Sequence, residues 1–201
     1  MDPSLYQPAP GIKFSHVNPD GSQIQFRPLT LGDWGFCRRL AADPGVRAVS
    51  FNQKPPTFWG HAKWMWKWAT TSNGGVAIII ERRTVIVGRY LVGFDAPTGP
   101  WGPVGLFRAA WLPGNRLEAS IALLPEARGL GVGTESLALL SRWVAEGFGW
   151  PLYARIKADN AASLGAFYRA GYVTPSAAEW DELAEAELGQ VYVLRWQGDA
   201  R

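Results

Sequence analysis

The chain holds a single cysteine, Cys37, and only two histidines, His16 and His61, in 201 residues. One cysteine excludes an intramolecular disulfide and any paired-cysteine metal site, and two histidines far apart in sequence argue against structural zinc, so no metal is expected. No apolar run reaches the about 18 residues that a membrane-crossing helix needs. The opening MDPSLYQPAPGIKF carries prolines where a secretory leader would have its apolar core. The expected setting is the cytoplasm, with no membrane partner. Runs of one charge are missing too. The 20 Lys and Arg against 17 Asp and Glu give a net +3, and basic residues gather only in pairs such as Arg38/Arg39 and Arg82/Arg83. That dispersion argues against a nucleic-acid partner and leaves attraction to a small anionic ligand open.

What is present is a substantial apolar fraction, 47%, in a chain of single-domain length. Pro3, Pro8, Pro10, Pro19 and the turn-like NPDG mark 1–22 as an extended arm, which leaves 23–201 as one domain. IQFRPL reads as a strand. TLGDWGFCRRLAAD reads as a helix with Thr30 as N-cap and Pro44-Gly45 closing it. The stretch from Pro55-Pro56 to Asn73-Gly74-Gly75 reads as a second helix. Its tryptophans at 59, 64, 66 and 68 cannot share one face, because a two-residue step turns a helix by about 200°. VAIIIERRTVIVGRYLVGF reads as a hairpin turning at Arg82-Arg83-Thr84, PTGPWGPVG as a loop, and RLEASIALLPE as a strand. GTESLALLSRWVAEGFG is an amphipathic helix stopped by Gly147 or Gly149, PLYARIKA a strand, NAASLGAFYRAGY a short helix ending at Gly171, and GQVYVLRW a last strand. The expected fold class is mixed α/β, a largely antiparallel sheet of six to seven strands with helices on both faces.

The most informative stretch is RGLGVG, 128–133, between the strand ending LLPEA and the helix TESLALLSRWV. Alternating glycines before a helix leave backbone N–H groups free to converge on an anion. A dinucleotide fingerprint requires G-x-G-x-x-G after an early strand, and a Walker loop requires a closing Gly-Lys-Ser/Thr. This loop runs G-x-G-x-G, comes late, and ends Val132-Gly133-Thr134, so it is neither. A bare strand-to-helix turn stays open on the residues alone.

Arg128, Gly131 and Gly133 satisfy R-x-x-G-x-G, and DNAASLGAFYRAGY places Asn160, Ser163, Phe167, Tyr168, Gly171 and Tyr172 in register with a second element. Together they resemble the GNAT superfamily of N-acetyltransferases. LEASIALLPEARGLGVGTESLALL, with Glu118, Pro125, Glu126, Arg128 and Glu135, is similar to the Rim-type ribosomal-protein acetyltransferases, as is FRPLTLGDWGFCRRLAADPGVRAV. The likeness covers about 24–173 and departs at Ser120, Ile121 and Ala122, where that subgroup has Gly-Tyr-Trp.

The resemblance implies acetyl-CoA as donor and a primary amine as acceptor, joined by direct attack. The amides of Gly129, Leu130, Gly131, Val132, Gly133 and Thr134 would hold the pyrophosphate, with Arg128 adding charge. The backbone of Ala122, Leu123 and Leu124 would pair with pantetheine beside a parting of this strand from 151–158. Tyr168 is the implied general acid, a phenol being protonated at neutral pH, and Asn160 and Ser163 would contact the pantetheine amide. Glu118 is the chosen base, as a buried carboxylate of raised basicity would suit that work.

Each role has a plainer alternative: Tyr168 as a core aromatic, Glu118 as a solvated strand-edge carboxylate, Asn160 as an N-cap. His61 and the tryptophans read first as packing residues with snorkelling Lys63 and Lys67, and second as an aromatic acceptor pocket. Eleven tryptophans leave room for a self-association surface and hence a homodimer. The acceptor is expected to be a protein N-terminus or a small-molecule amine. A non-catalytic acyl-CoA-binding protein of the same fold is the alternative, and transfer of a longer acyl chain would differ only in pocket depth.

Overall fold

The computed structural model describes residues 16–17, 22–70, 74–83, 99–183 and 191–198. Among these residues eight strands form one sheet: β1 (His16–Val17), β2 (Gln23–Pro28), β3 (Gly75–Arg83), β4 (Gly102–Leu112), β5 (Arg116–Leu123), β6 (Leu152–Lys157), β7 (Tyr172–Val173) and β8 (Val191–Trp196). Their spatial order is β1-β2-β3-β4-β5-β6-β8-β7, and every neighbouring pair is antiparallel except β5 with β6. Among the described residues six α-helices complete it: α1 (Trp34–Ala42), α2 (Pro44–Val49), α3 (Phe58–Thr70), α4 (Val132–Phe148), α5 (Ala161–Arg169) and α6 (Ala177–Leu183). This is the expected mixed α/β class, with two of the strands only two residues long.

Alternation along the strands builds two cores. Ile24, Phe26, Ile78, Ile80, Phe107, Leu117 and Ala154 point to one face, where Leu137, Leu140 and Val144 of α4 and Phe167 of α5 cover them. Ala77, Ile79 and Leu106 point to the other, under Cys37 and Leu40 of α1 and Met65 of α3. A strand covered on both sides needs no polar alternation, which is why β3 reads as the unbroken run VAIII. Cys37 is buried, and burial pushes its thiol up to about 12, so it is packing material rather than a nucleophile. No helix among the described residues is long and apolar enough to cross a membrane.

Three local expectations are corrected. β3 continues through Arg82 and Arg83, with Ile24 opposite Arg82 on one edge and Gly102 on the other. Both edges of β3 are therefore filled by β2 and β4, and the expected hairpin partner 85–93 lies outside the described residues. The stretch read as a Pro/Gly loop is strand from Gly102 onward. Pro103, which has no N–H to give a ladder, sits at the register shift between Ile80 and Glu81, one of the few strand positions that accept it. Finally, Pro44 closes α1 but also opens α2, whose N-cap Asp43 accepts a hydrogen bond from the Val46 N–H at 2.9 Å.

Candidate active site

The sheet parts between β5 and β6. Their parallel pairing is confined to Leu117 with Leu152 and Glu118 with Tyr153. Beyond it, β5 stays paired with β4 as far as Leu123, and β6 stays paired with β8 as far as Lys157. The two facing edges, 119–123 and 154–157, therefore diverge as a wedge and leave unused by the sheet the backbone groups of β5 that point toward β6, the Leu123 N–H among them; Ala122, opposite Leu106, points the other way into the β4 ladder, so its expected pairing with pantetheine is corrected. Leu124 turns away, its N–H donating to the Val104 carbonyl at 2.8 Å.

At the mouth of the wedge lies RGLGVG. Gly129 has φ 74° and Gly131 φ 80°, a region in which a side chain is strained, so both glycines are required by the path of the chain. Gly131 is the N-cap of the 17-residue α4, and no side chain caps that end. The first bond closing the helix is Glu135 N–H to the Gly131 carbonyl at 3.0 Å. The amides ahead of it point outward at the positive end of the helix, next to the exposed residues 129–131. Val132 is buried, while Gly133 rests near Leu123, whose Cδ1 would lie 3.3 Å from an added Cβ.

Arg128 does not turn toward this seat. Its Nε and Nη2 donate to the Leu123 carbonyl at 3.0 and 2.8 Å, and Nη2 pairs with Asp43 Oδ1. The Asp43 carboxyl is held below its ordinary range by the Arg128 guanidinium and the Val46 and Gly45 amides, which outweigh its desolvation. Gly45 makes room for the contact, since a Cβ there would lie 2.6 Å from Arg128 Nη1. The expected charge on a bound phosphate is instead a brace between the α1–α2 junction and the end of β5.

Glu118 is half-buried and clamped in a two-point ion pair, Arg155 Nε to Oε1 at 3.0 Å and Nη2 to Oε2 at 2.8 Å. Both oxygens are used, so the expected buried carboxylate is instead a half-buried one already paired with an arginine. Asn160 caps α5, its Oδ1 accepting from the Ser163 N–H at 3.1 Å. Phe167 takes the core position and Tyr168 is 40% exposed, its hydroxyl 3.1 Å from Thr174 Oγ1. Tyr168 is thus not a core aromatic. Among the described residues no hydrogen bond or ion pair joins it to Glu118, and none gathers the three His, Cys, Asp or Glu that a metal ion would need.

The face of the wedge opposite α4 holds groups the sequence did not disclose. Arg108 of β4 stands two positions from Ala110, the register partner of Glu118, and its guanidinium lies 5.8 and 5.3 Å from the Trp64 and Trp68 rings of α3. Its signal was an arginine in the small and apolar run GLFRAAW, hidden because that run was read partly as loop. Trp64 and Trp68 pack on the sheet, whereas Trp59 and Trp66 are exposed, as their spacing requires. His61 packs between Trp34, edge-on at 4.6 Å, and Trp64, stacked at 6.0 Å. Burial holds its imidazole below the usual histidine range despite a bond to the Trp34 backbone, and its Nε2 has no partner.

That ring supplies a pH test. The folded chain favours neutral His61, while the unfolded chain takes up a proton below about pH 6.5. Its contribution is present above that pH and lost as the pH falls. The urea midpoint is expected to drop between about pH 7 and 5, and His61→Phe to flatten the drop.

An uncapped, glycine-looped helix start at the parting of one mostly antiparallel sheet defines a distinct α/β class. Residues 23–173 match the family described as Acetyltransferase (GNAT) domain, and the chain belongs to this acetyltransferase family. Solved structures agree on the fold. The GNAT domain of PAT from S. lividans superposes with a TM-score of 0.67 at 16% identity, over 94% of this chain and 98% of that one. Spermidine N-acetyltransferase from Vibrio cholerae, solved with CoA and spermine, gives 0.59 at 15% identity over 76% and 82%. The aminoglycoside acetyltransferase AAC(6')-Ib, solved with coenzyme A and kanamycin, gives 0.61 at 10% identity over 87% and 94%. No curated protein matches the chain.

Proposed function

We propose that the chain is an acetyl-CoA-dependent N-acetyltransferase of Rim-type affinity, acting on a primary amine of a protein N-terminus or a small molecule, with a single domain over 23–201 preceded by an arm, 1–22, whose strand β1 joins the domain's sheet. The observation that carries this reading is the uncapped start of α4, with left-handed Gly129 and Gly131, at the mouth of the wedge between β5 and β6. The amides of 129–134 bind the pyrophosphate, and the Leu123 N–H on the β6-facing edge of β5 pairs with pantetheine, whose thioester then lies within the wedge. Asn160 and the Ser163 side chain flank the arm from α5.

The amine nitrogen attacks the thioester carbonyl, the C–S bond breaks, and the departing sulfur takes the Tyr168 hydroxyl proton. Tyr168 is exposed and, among the described residues, bonded only to a threonine hydroxyl, so its proton is available without unpacking the core. The proton lost by the amine goes to Glu118, which must release one Arg155 contact to accept it.

Calorimetric titration with acetyl-CoA tests the donor site, and release of free thiol in the presence of amines tests the transfer. Micromolar binding followed by amine-dependent thiol release is the expected result. Absence of binding overturns the donor site. Binding without release from any amine instead identifies a non-catalytic acyl-CoA-binding protein.

A further inference from the structure

Resting on that reading, a second feature of the wedge bears on the acceptor. The donor loop belongs to the α4 face of the sheet, so an acceptor reaching the thioester arrives from the other face, under α2 and α3. There the charge is one-sided. Arg108 makes no hydrogen bond or ion pair among the described residues; around it stand the Trp64 and Trp68 rings, Glu118, Arg47 and the Cys37 thiol. Burial and the like charge of Arg47 pull Arg108 down from its ordinary range, which Glu118 only partly offsets. Glu118 cannot neutralise it, being clamped by Arg155.

Arg47, on α2, has its Nε buried with no hydrogen-bond partner among the described residues, while its Nη1 donates to the Asn52 carbonyl at 2.8 Å and, at 3.5 Å, to that of Lys54. Lys157 of β6 donates to the Ala48 carbonyl of α2 at 3.3 Å, which draws that helix across the wedge. Two guanidiniums thus face the acceptor side with unused donors, one of them lying over the Trp64 and Trp68 rings. A guanidinium in that state is matched by a carboxylate or a phosphate, whose two oxygens fit its fork.

We propose that Arg108, assisted by Arg47, seats an anionic group of the acceptor, so that the substrate is an amine that also carries a carboxylate or phosphate. A polycationic amine would meet like charge here and gain no partner.

The test is a matched panel: β-alanine against its amide, phosphoethanolamine against ethanolamine, and spermidine as the polycation. Each is titrated calorimetrically into the protein with and without CoA, and assayed by thiol release with acetyl-CoA. The acid-bearing member of each pair is expected to bind and turn over better by about 10- to 100-fold, the worth of a charge-assisted bond. Arg108→Gln is expected to shrink that ratio toward one, and Arg108→Lys to recover part of it.

The two pairs separate carboxylate from phosphate. Preference for the amide, ethanolamine or spermidine in the wild type overturns the anion seat, as does a ratio that Arg108→Gln leaves intact or failure of the acid-bearing amines to bind. Binding of acid-bearing amines without thiol release leaves the seat standing and overturns the transferase reading instead.

Discussion

Gly131→Ala weakens acetyl-CoA binding by at least about tenfold, while Gly149→Ala on the same helix leaves it unchanged. The two glycines make an internally controlled pair. Gly131 caps the start of α4 at φ 80° and Gly149 caps its end at φ 65°, and an added Cβ meets no atom within 4 Å at either. Each alanine therefore costs the fold about the same, roughly 1–2 kcal/mol for a left-handed non-glycine residue. What differs is the neighbourhood. At Gly131 the strain is relieved by moving the loop whose amides hold the phosphates, and the new methyl occupies the open space a ligand would fill. At Gly149 the same relaxation happens far from the wedge. Calorimetry of both variants beside their urea midpoints checks this, and equal acetyl-CoA affinity would remove the loop from the donor site.

Such a contrast rests on a part of the molecule that was legible in sequence. The α4–β6–α5 region carries its instructions locally: glycines at the left-handed positions, an i, i+3, i+4 apolar stripe in α4, and Asn160 at an N-cap. The other half does not. β4 was hidden by Pro103, acceptable only because β3 shifts register there, which is a fact about a strand some twenty residues earlier. Pro44 signals both a helix end and a helix start, and only Asp43, capping α2, settles which.

The site residues divide the same way. Gly129 and Gly131 act through their own backbone, and Asn160 through a side chain that caps the adjacent turn, so all three could be read in place. Arg128 and Glu118 act through partners distant in sequence, Asp43 and Arg155, so their side chains were assigned to the ligand when the fold had already engaged them. The Arg128 brace also ties the donor loop to the segment carrying α2, which lies over the acceptor face. Both halves of the reaction would therefore share one rigid frame.

Tyr168→Phe lowers turnover by about 10²- to 10⁴-fold, the usual worth of a positioned general acid, and leaves acetyl-CoA affinity within about twofold. The substitution is clean because Phe167, not Tyr168, fills the core: among the described residues the lost oxygen hydrogen-bonds only to Thr174 at the surface, so stability should change by less than about 0.5 kcal/mol. A fall in the thiol-release rate with unchanged binding and unchanged urea midpoint can arise only from the chemical step, because neither the donor site nor the packing has been altered. Thr174→Val supplies the complement. Removing the partner and leaving the phenol should cost far less than removing the phenol, if the hydroxyl works on the thiolate and the threonine merely steadies it. Full activity in Tyr168→Phe would move the acid role to water or to another side chain, and equal losses in both variants would make the Tyr168–Thr174 bond a positioning device for α5.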